Sequence, residues 1–189
     1  MFRKLLSSVP ALAFVVMLGI TTVFGAILSI PFFSQVDPAW SGQKMGTTQS
    51  TIGQKGCAMT SVAMLLRLRG ADVDPAKLNA WLNKNGGYTS DLSLDWSKAV
   101  KYNGTQWLTY DGPGKLGSLA EVSKQLDNRK LIIAQSTRYA SHFVVIRGVT
   151  PDGKVGYYWD PADKVATQRR INDPDGWVNT GCSIRIFSY

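Results

Sequence analysis

Gly56-Cys57-Ala58-Met59-Thr60-Ser61-Val62-Ala63-Met64-Leu65-Leu66 joins a glycine-bearing loop to an apolar run, with a cysteine at the junction. From Ala58 to Arg69 the apolar residues Met59, Val62, Ala63, Leu65, Leu66 and Leu68 fall on more than one helical face, which predicts a helix buried on most sides, and Gly70 is placed to end it. This should be the central helix of the fold. A thiol at its start would lie beside unpaired backbone N–H groups and the positive end of the helix dipole, so its anion is stabilised there. The only histidine, His142, opens the strand-like run His142-Phe143-Val144-Val145-Ile146 and could complete the activation of the thiol.

Working outward, the residues from Pro31 to Gly56 are extended and then loop-like, rich in Gly, Ser, Thr and Gln. Asp74-Pro75 is an N-cap with proline at the first helical position, and Leu78, Trp81 and Leu82 follow at helical spacing until Gly86-Gly87. Leu92, Trp96, Ala99 and Val100 predict another helix over Asp91 to Tyr102, and Ser118-Leu119-Ala120-Glu121 is a capping box opening a helix to about Asn128. Beyond it the period changes. Leu131 to Ser136, His142 to Val149, Val155 to Asp160 and Cys182 to Tyr189 are rich in β-branched and aromatic residues between turns. Helices first and antiparallel strands second predict an α+β domain over residues 31–189.

Pro151-Asp152-Gly153 predicts a hairpin between two of these strands, and its length decides which carboxylate meets His142. A three-residue turn at 151–153 puts Asp160 opposite Val144, on the face of His142 and one diagonal away. A two-residue turn at Asp152-Gly153 instead turns Asp163 toward His142 and Asp160 to the other face. An attacking thiolate also needs donors for the oxyanion, typically a backbone N–H and a side-chain amide. Gln35 is the candidate for the amide, with Gln54, just before the cysteine, as its local rival.

At 189 residues, 44% hydrophobic and 18% charged, the chain has the composition of one well-packed domain and not of a disordered tail. Its net charge of +8 is dispersed without a basic block, which argues against nucleic acid and is compatible with anionic surfaces such as headgroups or wall polymers. From Leu5 to Ile30 there is no ionisable group, after the basic pair Arg3-Lys4. That run exceeds an ordinary signal-peptide core and is near the roughly 20 residues that span a bilayer, so residues 1–30 read as a signal anchor with the domain outside; cleavage near Val23 and Gly25 would release it. In an oxidising compartment Cys57 and Cys182 could pair, which would make Cys57 structural; the helix start favours a reactive Cys57, with Cys182 a buried small hydrophobe.

No metal or cofactor is expected, since one His, two separated Cys and one Glu make no ligand set. Asn172-Asp173-Pro174-Asp175-Gly176 reads as a turn better than as a calcium loop. Trp81 and Trp96 fall at core spacing, leaving Trp40, Trp107, Trp159 and Trp177 as possible groove residues.

Gln35-Val36-Asp37-Pro38-Ala39-Trp40, the Gly56 to Ser61 block, Leu78-Asn79 with Trp81-Leu82, Gly86-Gly87-Tyr88, Trp96, His142-Phe143-Val144 and Asp160-Pro161, taken together, resemble the papain-like cysteine peptidases related to the bacteriocin-processing, double-glycine-leader peptidases. The resemblance covers about residues 31 to 165. It implies a papain-like fold, with a helical half bearing the cysteine packed on an antiparallel sheet. It also implies Cys57 as nucleophile, His142 as general base and acid, Asp160 as its orienter and Gln35 as oxyanion donor. Two features depart from the family. The chain has no transporter segments or nucleotide-binding motif, so leader processing is not expected, and Ala58 stands where many relatives have Gly.

The expected function is therefore an anchored or exported cysteine hydrolase, cleaving amide bonds of exported polypeptides or cell-wall peptides, including a lytic role on a virus particle. The alternatives are a non-catalytic module binding peptide or glycan, and a structural protein of an envelope or virion membrane.

Overall fold

Leu131-Ile132-Ile133-Ala134 is buried at every position, as is Val144-Val145-Ile146, so neither run shows the alternation of a sheet with one wet face. The computed structural model, which describes residues 27–189 apart from Tyr139, Ala140 and Asp175, gives the reason. A six-stranded antiparallel sheet is covered on both faces. Its strands are β1 (Thr109–Lys115), β2 (Lys130–Gln135), β3 (Phe143–Val149), β4 (Gly156–Trp159), β5 (Arg169–Arg170) and β6 (Ser183–Ser188), in the order β1-β6-β2-β3-β4-β5.

Five helices complete the described chain: α1 (Ile52–Lys55), α2 (Cys57–Leu68), α3 (Pro75–Lys84), α4 (Trp96–Ala99) and α5 (Leu119–Asp127). Leu131, Ile133, Val145 and Phe187 point to one face and pack with α2 and α3; Ile132, Ala134, Val144, Ile146 and Ile184 point to the other and pack with Val122 and Leu126 of α5. The α+β class and the cysteine-bearing helix on an antiparallel sheet agree with the sequence reading.

Nine residues of α2 are buried, which is what its all-round apolar pattern requires, and Arg69 and Gly70 end it, Gly70 with φ +91°. Asp74 caps α3 by accepting from Lys77 N at 2.8 Å, and Ser118 and Glu121 close the expected capping box at α5. The helix expected over Asp91 to Tyr102 is mostly absent. Its first half is a loop closed by a Tyr88–Leu94 bridge, Leu92 has φ +67°, and Asp91 accepts from Thr89 and Ser93 instead of capping a helix. Asp95 is the residue that caps, by accepting from Lys98 N at 3.0 Å, and only α4 and a short 3-10 turn at Tyr102–Gly104 follow.

Two strands carried no recognisable pattern. β1 contains Gly-Pro-Gly, tolerated because it is an edge strand with a register shift, and β5 is two residues long.

Most of the expected membrane segment lies outside the described residues. No described helix is long and apolar enough to cross a membrane. Residues 27–30 are part of the domain: Leu28 N donates to Arg147 O at 2.8 Å, Ile30 is buried, and Trp159 Nε1 donates to Ile30 O at 2.9 Å.

Candidate active site

Gly56 is the joint that sets the cysteine. A Cβ there would come within 2.5 Å of Ile52 O and 2.7 Å of Ile52 Cγ2, so only glycine lets α1 end and α2 begin without a spacer. Cys57 is thereby the first residue of α2, whose first-turn amides precede any intrahelical acceptor. Its sulfur donates to Ser141 O at 3.5 Å, and one turn later Ser61 Oγ donates to Phe143 O at 3.4 Å. Residues four apart share a helix face, so α2 grips the two peptide carbonyls on either side of His142. Ser61 escaped the sequence reading, although its offset from Cys57 was a usable signal.

His142 Nε2 meets Asp160 Oδ1 at 2.8 Å, and the ring also hydrogen-bonds Cys57. Burial works against the imidazolium, but the hydrogen bonds and charges of Asp160 and Cys57 outweigh it and raise His142 from 6.5 to about 9. Asp160 is fully buried; Oδ1 also accepts from Ala162 N at 2.8 Å, and Arg169 Nε lies 4.0 Å from Oδ2.

The hairpin reaches this arrangement by neither of the expected turns. Thr150 N donates to Val155 O across a four-residue loop, and the ladder starts as Val149 with Gly156 and Gly148 with Tyr157. That is the register of the two-residue alternative. A β-bulge between Ile146 and Gly148 then shifts it, so that Ile146 faces Tyr158 and Val145 faces Trp159, which brings Asp160 to His142. Asp163 is not the histidine's partner; it receives Nε and Nη2 of Arg169.

Arg169 in turn lies 5.3 Å from the Trp177 ring centroid, and Trp177 meets His142 edge-on at 5.5 Å. Of the expected groove tryptophans, Trp40, Trp107 and Trp159 spend their indole N–H groups on backbone carbonyls. Trp96 packs against the core as expected and also lines the cleft.

Gln35 is buried and ties two parts of the site together. Its backbone N–H donates to Pro161 O at 2.7 Å, beside Asp160, and Nε2 donates to Gly53 O at 3.0 Å, in the helix leading to Cys57. Gln54 is exposed, and its Oε1 accepts from Thr51 N in the cap of α1. Cys57 and Cys182 are both free. Cys182 lies in the α5-side cluster, where burial pushes its thiol up to about 11.

Cys57 and Ala58 line a cleft of about 570 Å³, walled by Leu92, Leu94, Trp96 and Phe143. No group of metal-ligating side chains occurs among the described residues. A thiol, an imidazole and a carboxylate in sequence, at the edge of a groove, are the parts of nucleophilic acyl transfer.

The model of the Peptidase_C39 like family matches residues 27–183. The chain belongs to this family. Its frame is that of the C39-related papain-like peptidases, and membership supports a cysteine peptidase with peptide substrates. A crystal structure of a C39-like peptidase from Bacillus anthracis is 16% identical, with 84% of this chain and 94% of that one covered at a TM-score of 0.45, a likeness that carries no weight here. No curated protein matches.

Proposed function

We propose that the protein is a cysteine peptidase in which Cys57 is the nucleophile, His142 the general base and acid, Asp160 the residue orienting His142, and Gln35 with the Cys57 N–H the oxyanion donors. The observation that carries this reading is the His142 ring bonded to the fully buried Asp160 at 2.8 Å, with the Cys57 sulfur donating to the carbonyl of Ser141, the residue next to His142. His142 takes the thiol proton, and the sulfur attacks the substrate carbonyl carbon. The oxyanion that forms is met by the Cys57 N–H and by the Gln35 N–H that Gly53 does not engage. As the intermediate collapses, the C–N bond breaks and the leaving amine takes the proton from His142. Water, deprotonated by His142, then attacks the thioester, releasing the acid and regenerating Cys57.

The substrate in this reading is an exported polypeptide or the peptide of a cell wall, met outside the membrane. The uncharged run from Leu5 to Ile30 behind Arg3-Lys4 supports the location, and the net charge of +8 supports an anionic wall. The discriminating experiment incubates the wild-type chain and Cys57→Ala with purified cell wall and with a peptide library, and counts new amine ends. New ends are expected only with wild type, Cys57→Ala falling by about 10⁴-fold or more. Equal release by both would overturn the reading, as would a Cys57 that alkylates no faster than a free cysteine.

A further inference from the structure

Arg185 occupies a position that the sheet reserves for its core. It lies inside β6, between β1 and β2, paired with Pro113 and Ile133. Ile184 and Ile186 pack on the α5 side and Phe187 is buried on the α2 side, so strand alternation sends Arg185 to the α2 side as well. Its guanidinium carbon lies 5.6 Å from the Trp96 ring centroid and 5.5 Å from that of Phe143, and Nη1 donates to Ser183 Oγ and Ile184 O, each at 3.0 Å.

The remaining donors, Nε and Nη2, have no protein acceptor among the described residues, and no described carboxylate pairs with the group. The cation faces the cleft that holds Cys57. Asp91 lines the same cleft, but its carboxylate is occupied by Thr89 and Ser93, whereas Lys55 adds a second cation. A half-buried guanidinium resting against a pair of mutually packed rings, with Nε and Nη2 unpaired and the proposed nucleophile in the same groove, matches a planar anion.

We propose that Arg185 determines specificity by binding a substrate carboxylate flanking the scissile bond, either an acidic side chain or a free chain terminus. The inference builds on the reading of the Cys57 cleft as a peptide groove, and it predicts an acidic substrate where the sequence offered no preference. The aromatic walls hold the guanidinium in place, so little side-chain freedom is lost on binding.

The test uses the full chain carrying Cys57→Ala, so that binding is read without turnover. One arm titrates N-acetylated, C-amidated Gly/Ala peptides with a single Glu walked through each position, against the matching Gln set. The other compares free with amidated C-termini. Tighter binding by about tenfold is expected for one Glu position or for the free terminus, shrinking as salt is raised. Arg185→Met should erase the difference, and Arg185→Lys should keep part of it; melting curves of both variants establish that they are folded. Equal binding of Glu and Gln at every position and of both termini overturns the proposal, as does a preference that survives in folded Arg185→Met. Wild-type turnover without a preference sinks this inference alone, while a preference without any Cys57-dependent turnover sinks the peptidase reading alone.

Discussion

Cys57 begins one continuous helix buried on nearly every side, whereas His142 and Asp160 stand at the ends of two strands whose register shifts between them. The helix end is fixed by neighbours in sequence: Gly56 closes the joint to α1, and the apolar run that follows has one way to be buried. The hairpin is fixed by a single irregularity, the bulge at Ile146/Gly148, without which the ladder would carry Asp160 to the opposite face. The proposed nucleophile is thus placed by local rules, while its proposed proton partner depends on a defect in a regular structure.

The sharpest way to break that contrast is at Gly148, whose φ of +151° is open to glycine alone. Gly148→Val should force the regular ladder and lower kcat/KM by about 10² to 10³-fold. Deleting Arg147 in the same chain removes the extra residue and should restore part of the rate, which steady-state kinetics with the cleaved peptide would measure.

Asp160→Asn should cost less, on the order of 10²-fold, and change the pH profile. With His142 raised to about 9, the proton needed by the leaving amine is lost only above that pH, so the alkaline limb belongs near 9. Burial, which lowers the value, and Cys57, which raises it, remain in the variant while the Asp160 contribution goes, so the limb moves to lower pH. Linkage gives the same direction for stability: the gain from the charged ring is fully present below 6.5 and fades as pH rises through about 9. An unmoved limb would mean that Asp160 does not control the imidazole.

On the helix side, Gly56→Ala should act on folding, lowering stability by about 1 to 3 kcal/mol through the clash with Ile52. Denaturant unfolding reads this directly. Ser61→Ala is the smallest change, about 1 kcal/mol for one hydrogen bond to Phe143 O, with a slight rise in KM or fall in kcat as the grip on the histidine strand loosens.

The same contrast accounts for what was legible in the sequence. α2, the caps at Asp74 and Ser118, and the four apolar strands follow from periodicity and capping chemistry, which are local. The hairpin offered two registers, and both are present, one on each side of the bulge, which no turn motif at 151–154 encodes. Asp91 to Leu94 misled because Leu92, Trp96 and Ala99 mimic helical spacing, while Asp91 folds back onto Thr89 and Ser93. Trp177 reaches the histidine, and Arg169 reaches Trp177 and Asp160, from a region with little regular structure, so periodicity gave no sign of them. Tertiary position separates the two glutamines: Gln35 is buried between Pro161 and Gly53, whereas Gln54 is exposed and spent on a cap.

Cys57 and Cys182 each retain only 6% of their surface, and Cys182 lies in the separate cluster under α5. An oxidised sulfur at Cys57 would therefore find no resolving thiol beside it among the described residues, and a sulfenic acid would be free to progress to the irreversible sulfinic state. The burial that confines access to the Cys57 sulfur is consequently also its shelter from oxidants in solution.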